Sequence, residues 1–447
     1  KDSFQEVDIA GITMPITKHN FIVKDVKVLA ETVRRAFRIA GSGRPGPVLV
    51  DIPKDVTANK TEYVKKTPEK PEDAAEAISD TDIEKAVHLI GRAKKPVIFV
   101  GGGAVISGAS PELKRFAELV DAPVTDSLMG KGAFSGEDPR YTGMLGMHGT
   151  KASNLAVSEC DLLIALGTRF SDRVLGNPKT FAHQAKVLQF DIDPAEINKN
   201  ISVDAAVIGD LKESLSRMNE VLSKKKLPDK AEWRAHIEEY QKKYPLSYDR
   251  NGLSGPYIME RVYEKTGGNA RIVTEVGQHQ MWAAQFYRFR EPRQLLTSGG
   301  LGTMGYGLGA AIGAQIADPE RRVINIAGDG CFRMNLNELM TAARNRLPLI
   351  DIVVNNHVLG MVRQWQTAFY EKHYSATVLD DGADYVKAAE AFGAKGFRAT
   401  SQAEFDEAFD LALKEKDIPC VIDAVIDSDD RVLPMVAPGA NISDFMD

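Results

Sequence analysis

The chain contains the stretch Val323-Ile-Asn-Ile-Ala-Gly328-Asp329-Gly330, followed further on by Ile350-Asp-Ile-Val-Val354-Asn355-Asn356, and together they decide the fold. Both parts begin with an apolar, β-branched run of the length of a buried strand. Between them, one helix face is indicated by apolar residues at i, i+3, i+4, i+7 spacing, namely Leu336, Leu339, Met340 and Ala343. We therefore predict a strand, a crossover helix and a second strand parallel to the first.

Polar residues follow both predicted strands at the point where each strand ends. Parallel strands joined by a crossover helix end at the same edge of the sheet, so Asp329 and Asn356 should lie close together. A carboxylate and an amide oxygen suit Mg²⁺, which often takes few protein ligands and completes its shell with phosphate and water. Gly328 and Gly330 would let the backbone approach a diphosphate, and the following helix offers N–H groups to an anion.

The same residues have a simpler interpretation, in which Asp329 caps a helix and the Asn pair forms a turn. For an isolated Asp-Gly pair that interpretation is the better one, because such dipeptides are ordinary turns. The complete unit, from the Gly-Asp-Gly turn to the Asn pair, favours a ligand site instead.

Composition places the chain among globular proteins of on the order of two to three domains, with 447 residues and a formal net charge of -6. The small negative charge argues against nucleic acid as the main partner, and no apolar run is long enough to span a membrane. The three cysteines, Cys160, Cys331 and Cys420, are widely spaced, which is typical of a reducing compartment such as the cytoplasm. Because the chain begins with Lys1 and not Met, we expect a truncation or processing point there.

Strand and helix patterns divide the chain into six predicted segments. The central and carboxy-terminal segments each alternate strands with helices, which predicts an α/β protein with doubly wound parallel sheets. The predicted segments are an incomplete domain (1–58), a linker (59–80), a central Rossmann-like domain (81–222), a second linker of charged, solvated helical character (223–256), the domain that holds the Gly-Asp-Gly turn (257–427) and a tail (428–447).

The Gly-Asp-Gly turn, the crossover and the Asn pair resemble the thiamine diphosphate signature. Three further segments, residues 277–285, 297–307 and 355–366, are similar to the large catalytic subunit of the acetolactate synthase family. The resemblance implies a thiamine diphosphate-binding fold and makes residues 1–58 the closing part of a pyrimidine-binding domain. In this family the glutamate that activates the cofactor lies in the earlier part of that domain. No residue of the chain takes that role, so we expect the chain alone to be inactive or nearly so.

The resemblance also implies which residues bind the cofactor. Asp329, Asn356 and the carbonyl of Val358 would hold Mg²⁺, and Met304 would be the apolar wedge that bends thiamine. Met304 would otherwise be read as ordinary core. The remaining cofactor neighbours are expected to be Val276, Gly277, Gln278, His279, Gly302, Gly328, Gly330, Cys331, Leu359, Gly360 and Met361.

The catalytic residues implied by the resemblance include Met304 and Gln278. The family decarboxylates pyruvate and joins the remaining two-carbon hydroxyethyl unit to a second 2-ketoacid. Arg173 would bind the carboxylate of that acceptor, and Trp365 would shape its pocket and favour 2-ketobutyrate over pyruvate. Phe4, Gln5 and Lys54 resemble residues that a neighbouring subunit contributes to the substrate channel, so a homodimer or tetramer is expected.

A flavin site is implied in the central domain, because residues 145–149 and 169–173 are similar to segments of the FAD-containing members. Each part also has a simpler interpretation. The glycines at 101–103 would form a tight turn, and Arg173 would form a surface ion pair with Asp172. The expected FAD neighbours are Arg44, Gly101, Gly102, Gly103, Leu145, Met147, His148, Gly167, Thr168, Arg169, Arg173, Asp191, Ile192 and Asp210.

The sequence thus predicts an acetolactate synthase of branched-chain amino-acid synthesis that requires thiamine diphosphate, Mg²⁺ and FAD. The alternatives are another carboligase or a pyruvate oxidase of the same superfamily, and a fragment without catalysis. A small regulatory subunit is a candidate partner beside the 2-ketoacid substrates.

Overall fold

The computed structural model describes residues 4, 6–67, 78–379 and 382–446. Its amino-terminal unit contains a parallel pair of strands, β1 and β2, and three helices: β1 (His19–Ile22), β2 (Val48–Asp51), α1 (Ile9–Thr13), α2 (Val26–Gly41) and α3 (Lys54–Ala58). The spacing of the apolar residues Val26, Leu29, Val33, Phe37 and Ala40 predicts an amphipathic helix over residues 26–40, and α2 has this position. Its expected apolar face is not buried, however, since Phe37 is 76% exposed and the buried residue of α2 is Ala36. A two-stranded sheet offers too little surface to cover a helix of this length.

The central unit is a parallel sheet with the strand order β5-β4-β3-β6-β7-β8. Strands β3 and β6 are buried along their whole length, which explains their continuous apolar sequence, because helices cover both faces of the sheet. The strands are β3 (Pro96–Val100), β4 (Val124–Asp126), β5 (Tyr141–Met144), β6 (Leu162–Leu166), β7 (Lys186–Asp191) and β8 (Ala205–Ile208). The helices are α4 (Asp80–Arg92), α5 (Gly102–Ile106), α6 (Ser110–Val120), α7 (Lys151–Glu159), α8 (Asp172–Leu175) and α9 (Leu211–Leu222).

Helix α10 (Ala231–Lys243) lies within the segment that the sequence predicted as a charged, solvated linker. The charged residues of this segment, at 224–226 and 238–243, are largely exposed as expected, but α10 also carries two buried side chains. Trp233 and Ile237 are buried in the central core, and the Trp233 indole N–H donates to the Pro96 carbonyl at 3.0 Å. Two apolar anchors one turn apart suffice to dock a helix whose other positions are charged.

The carboxy-terminal unit is a second parallel sheet, with the order β10-β9-β11-β12-β14-β13. Its strands are β9 (Arg271–Thr274), β10 (Leu295–Thr297), β11 (Val323–Gly328), β12 (Ile350–Asn355), β13 (Lys395–Ala399) and β14 (Cys420–Val425). Its helices are α11 (Gly255–Lys265), α12 (Gln278–Phe286), α13 (Tyr306–Ala317), α14 (Asp329–Asn335), α15 (Leu339–Arg344), α16 (Gly360–Phe369), α17 (Tyr385–Ala391) and α18 (Gln402–Lys414). The tail adds a short antiparallel pair, β15 (Met435–Val436) and β16 (Phe445–Met446).

The predicted parallel pairing of β11 with β12 is confirmed, and with it the α/β class with parallel sheets. The crossover is not one helix, however. A 3₁₀ turn at Leu336–Glu338 separates α14 from α15 and changes the phase of the buried face. Leu339 and Ala342 are therefore buried, whereas Met340, assigned to the core by its spacing, is 55% exposed. Among the helices in the described part of the chain, none combines the length and the apolar character needed to cross a membrane.

A polar pair interrupts the apolar interior of the second sheet. On the neighbouring strands β11 and β12, the Asn325 amide donates to the Asp351 carboxylate at 3.0 Å, and both side chains are fully buried. The other carboxylate oxygen of Asp351 has no hydrogen-bond partner within the described ranges. Burial raises the pKa of Asp351 to about 7, and the nearby Glu275 charge raises this pKa further while the Asn325 hydrogen bond opposes the change.

The raised pKa of Asp351 predicts a pH-dependent loss of stability. Since the folded state holds the proton more tightly than the unfolded chain, this carboxyl stabilises the fold at low pH and loses that contribution between about pH 4 and about pH 7. Asp351→Asn should remove this loss and raise the free energy of unfolding at pH 8 by on the order of 2 kcal/mol. Urea unfolding at pH 5 and pH 8 measures the effect.

Asp423→Asn on the adjacent strand β14 is the matched control, because the Asp423 carboxylate accepts from Arg398 at 3.0 Å and from Asn355 at 2.9 Å. It should lower stability at pH 8. An Asp351→Asn protein that is less stable than the wild type at pH 8 would contradict the prediction.

Candidate active site

The carboxyl ends of β11 and β12 carry the two residues that the sequence singled out as metal ligands. Gly328 pairs with Val354 in the register of these strands, so Asp329 and Asn356 emerge at the same edge. Asp329 is only 1% exposed, and its Oδ2 atom has no hydrogen-bond partner in the parts of the chain described. Burial raises the pKa of Asp329 to about 6. A buried carboxylate oxygen without a donor is poised to bind a cation.

The donor set at this edge contains a single acid. Across residues 4, 6–67, 78–379 and 382–446, no group of three or more His, Cys, Asp or Glu side chains is arranged to hold a metal ion. The Asn356 amide oxygen accepts the Val358 N–H at 3.2 Å, which turns the chain so that Val358 lies buried next to the pair. One carboxylate, one amide oxygen and backbone carbonyls suit a hard cation that keeps water or phosphate ligands.

Because two glycines near Asp329 lack side chains, side chains of other elements can approach closely. A Cβ on Gly330 would lie 2.8 Å from Leu359 Cδ2 and 3.6 Å from the methyl carbon of Met304. A Cβ on Gly360 would lie 2.0 Å from Gln278 Oε1. The structure therefore brings the predicted residues of α12, α14, α16 and the loop before α13 to one place.

Gln278 connects the walls of this site. Its amide donates to Gln364 Oε1 at 2.9 Å and to the Asp430 carbonyl at 2.7 Å, and its oxygen accepts from Asn356 at 3.2 Å. Helix α12, helix α16 and the tail are thus held together beside the proposed metal ligand. The sequence did not single out Gln364 or Asp430, because neither belongs to a motif with a chemical signature.

His279 is the second buried polar side chain of α12. Burial lowers its pKa to about 3, so the ring is neutral, and its Nε2 atom has no partner in the described structure. The ring lies 3.0 Å from where a Cβ on Gly328 would be. Two more predicted cofactor neighbours contact Val276. The Cys331 thiol donates to the Val276 carbonyl at 3.1 Å, and a Cβ on Gly302 would lie 3.6 Å from Val276 Cγ1. Gly277 precedes this helix and Met361 packs against the core below α16.

Arg173 and Trp365 meet although they belong to different sheets. The guanidinium carbon of Arg173 on α8 lies 5.8 Å from the ring centre of Trp365 on α16, within cation–π range. Arg173 also pairs with Asp172 at 2.9 Å, and its side chain is largely exposed. The predicted surface ion pair is therefore present, and the two residues expected at the acceptor pocket lie next to each other.

The three predicted channel residues lie in the amino-terminal unit. Phe4 and Lys54 are exposed, and Lys54 begins helix α3. Gln5 lies outside the described residues.

The predicted flavin glycines are explained by backbone packing. A Cβ on Gly101 would lie 2.2 Å from the Gly167 carbonyl oxygen, and one on Gly103 would lie 2.7 Å from Gly167 Cα. The Gly103 N–H also donates to that carbonyl at 3.0 Å. Close approach of β3 and β6 at their ends therefore requires these glycines without any ligand, and Gly102 packs against Met129.

Several other predicted flavin neighbours have partners within the protein. The Arg44 guanidinium binds Glu196 at 2.7 Å and Asp193 at 3.3 Å. Asp210 caps α9 by accepting the Glu213 N–H at 3.0 Å, and burial raises the pKa of Asp191, which is partly exposed beside Ile192. Arg169 accepts a hydrogen bond from Asn200 through its carbonyl.

His148 is the exception among the predicted flavin neighbours. Burial lowers its pKa to about 4, and no hydrogen-bond partner of its Nδ1 atom occurs in the described ranges. Leu145, Met147 and Thr168 are buried around it, and the Met147 carbonyl accepts from Val436 of the tail. A buried ring nitrogen without a partner is the kind of atom that a ligand satisfies.

Two family models match the chain. The central domain of thiamine pyrophosphate enzymes matches residues 83–218, and the carboxy-terminal TPP binding domain of the same enzymes matches residues 275–424. The second match covers both strands of the Gly-Asp-Gly unit and the glutamine and histidine of α12.

Relatives that extend over nearly the whole chain carry one enzyme name. The acetolactate synthase of Mycobacterium bovis is 44% identical over 455 residues, which cover 98% of this chain and 73% of the relative. The acetolactate synthase large subunit of Parasynechococcus marenigrum is 46% identical over 452 residues, with 98% and 72% covered. The isozyme 2 large subunit of Escherichia coli K12 is 42% identical over 450 residues, with 100% and 80% covered. The chain therefore belongs to the acetolactate synthase large subunits, a family of thiamine diphosphate-dependent enzymes.

Proposed function

We propose that the edge formed by Asp329 and Asn356 binds thiamine diphosphate through Mg²⁺ in an acetolactate synthase that joins two 2-ketoacids with loss of CO₂. The observation that carries the proposal is the Oδ2 atom of Asp329, buried without a donor at the end of β11. Asn356 and the Val358 carbonyl would complete the protein ligands of the metal. Gly328 and Gly330 keep side chains away from the space in front of them.

Thiamine diphosphate supplies the electron sink that decarboxylation of a 2-ketoacid requires. The role of the protein is to bind, orient and exclude water. Met304 would be the apolar support beside the metal corner, and neutral His279 would offer a ring nitrogen to a polar atom of the ligand. Gln278 would line the site while its own hydrogen bonds fix the relation of α12 to α16.

Arg173 and Trp365 are proposed to form the acceptor pocket. The exposed guanidinium would bind the carboxylate of the second 2-ketoacid, and the indole held beside it would contact the alkyl group. A pocket that distinguishes one methylene contributes about 1–3 kcal/mol, so Trp365 would favour 2-ketobutyrate over pyruvate without excluding pyruvate.

We also propose that FAD binds at the central sheet, and one observation supports this. The unpartnered His148 ring supports it, whereas the glycines at 101, 103 and 167 have a sufficient reason in backbone packing. Arg44 would have to exchange its Glu196 and Asp193 partners for the flavin.

The proposed assembly is a homodimer or a tetramer with a small regulatory subunit. The names of relatives as large subunits support the second partner. Exposed apolar side chains near the site, such as Leu301, Met334 and Val378, support an interface between copies, and Phe4, Gln5 and Lys54 would reach a neighbouring site. The three free, buried cysteines favour a reducing compartment, and we propose the cytoplasm.

Asp329→Asn tests the metal site. Loss of the carboxylate should weaken binding of thiamine diphosphate with MgCl₂ by more than about 100-fold, because even outer partners of a metal site contribute 10–100-fold. Without ligand the variant should be at least as stable as the wild type, since a buried charge whose Oδ2 atom lacks a donor has been removed. Titration calorimetry and thermal unfolding measure the two effects. Asp351→Asn is the control, because it makes the same change inside the sheet, and it should bind the cofactor as the wild type does. Equal affinity of the wild type and Asp329→Asn would refute the metal site.

Trp365→Leu tests the acceptor pocket. In an enzyme that joins this chain to the part of the pyrimidine-binding domain that holds the activating glutamate, competition between pyruvate and 2-ketobutyrate should show a preference for 2-ketobutyrate. This preference should fall at least about tenfold in the variant. Arg173→Gln should raise the KM for both acceptors and leave their ratio unchanged, because the carboxylate is common to them. An unchanged product ratio in Trp365→Leu would show that the indole does not line the pocket.

Titration with FAD tests the central site. The wild type should quench the flavin fluorescence, and His148→Phe should weaken binding about tenfold, because a hydrogen bond to a buried nitrogen is lost. His183→Phe, at an exposed histidine of the same unit, is the control. No change in the flavin spectrum with wild-type protein would rule out the flavin proposal.

A further inference from the structure

Glu275 follows strand β9 directly and reaches the amino end of helix α13 from below. Its side chain is buried, with 1% exposed. One carboxylate oxygen accepts the Gly305 N–H at 2.8 Å, and the other accepts the Gly307 N–H at 2.7 Å. A carboxylate that accepts several N–H groups at a helix start offsets the charge of that start and fixes its position.

The peptide at Gly305 is held from a second side. Its carbonyl accepts from the Asn335 amide at 2.7 Å, at the end of the helix that begins with Asp329. Gly305 has a φ of +90°, and a Cβ there would lie 2.9 Å from Asn335 Nδ2. A Cβ on Gly307 would lie 2.4 Å from Asn325 Oδ1 and 2.9 Å from Glu275 Cγ. Two glycines thus give the carboxylate the close access that these bonds need.

Met304 immediately precedes this clamped peptide. Its methyl carbon lies 3.6 Å from where a Cβ on Gly330 would be, so its position relative to the metal corner depends on how residues 305–307 are held. Backbone N–H groups compensate for the buried charge, since those of residues 305–308 all act on the Glu275 carboxylate and favour its charged form. Burial raises the pKa of Glu275, because the charged carboxylate is less favourable there than in water.

We propose that Glu275 is a positioning residue for cofactor binding: it clamps the Gly305–Gly307 backbone and thereby holds Met304 against the Gly330 corner. Nothing in the sequence motifs assigned it this role. The inference rests on the proposed thiamine diphosphate site, because Met304 acts only through that ligand. An ordinary helix cap would contribute to stability alone; a positioning residue also changes affinity, and does so through Met304.

A double-mutant cycle separates these two roles. Glu275→Gln keeps the shape but turns an amide donor towards one of the two N–H groups. It should weaken binding of thiamine diphosphate with MgCl₂, measured by calorimetry on the 447-residue chain, about tenfold. Met304→Ala should also weaken binding. The double variant should bind no more weakly than Met304→Ala alone, because the clamp has lost the residue that it positions.

Two further variants keep the test decisive. Asn335→Ala removes the other half of the clamp and should weaken binding in the same Met304-dependent way, so it replaces Glu275→Gln if that protein does not fold. Asp384→Ala removes the cap of α17 in the same unit, where the carboxylate accepts the Val386 and Lys387 N–H groups. It should lower the melting temperature and leave affinity unchanged.

The outcomes distinguish the inference from the proposed function. Suppose that the wild type and Met304→Ala bind as expected. The positioning role is then overturned, while the site stands, if Glu275→Gln binds thiamine diphosphate normally. It is also overturned if the loss of affinity in Glu275→Gln adds fully to the loss in Met304→Ala. If the wild type does not bind thiamine diphosphate with MgCl₂, both the site and the positioning role are overturned.

Discussion

Parallel pairing of β11 with β12 is the constraint on which the site depends. It forces the residues after both strands to the same edge of the sheet, so that an acid and an amide separated by a whole crossover become neighbours. The pairing is stable because apolar clusters of the carboxy-terminal unit bury both faces of these strands, with Ile324 and Ile352 on one face and Val323 and Val353 on the other. The Asp329 carboxylate, which is unfavourable where it lies, is thus held by interactions that do not involve it.

Among the buried polar atoms of the described residues that have no hydrogen-bond partner, four lie at or just beneath the carboxyl edge of the second sheet, and they form two groups. At the edge they are Asp329 Oδ2 and His279 Nε2, both turned into space that glycines keep open. Inside the sheet they are the free oxygens of Asn325 and Asp351, which face each other's strands and the underside of α13. Native proteins satisfy nearly all such atoms, so each exception calls for an explanation. A ligand at the proposed site would satisfy the first group, and a proton on Asp351 would remove the buried charge of the second.

Local patterns were sufficient where one periodicity governed an element. The apolar runs that begin at Val323 and Ile350 form strands β11 and β12 as predicted, because each is a single run with a clear polar end. Local patterns failed where tertiary packing decided which side chains are buried. After the 3₁₀ turn Met340 is exposed, and the buried Trp233 docks the charged helix α10. Glu275 was missed because an acid after a strand has no motif; its position at the same edge as Asp329 was the available signal.

The family assignment establishes the activity class, but it supports the individual residues unequally. Glycine illustrates the difference. Gly101 and Gly103 are required by the backbone of Gly167, so their presence would be expected with or without a flavin. Gly330 and Gly360 instead meet side chains, those of Leu359 and Gln278, that belong to the walls of the site. A residue that the fold already explains says little about a ligand. Asp329 is informative for the opposite reason: no hydrogen bond within the described structure satisfies its Oδ2 atom, so the packing of the fold does not account for this carboxylate.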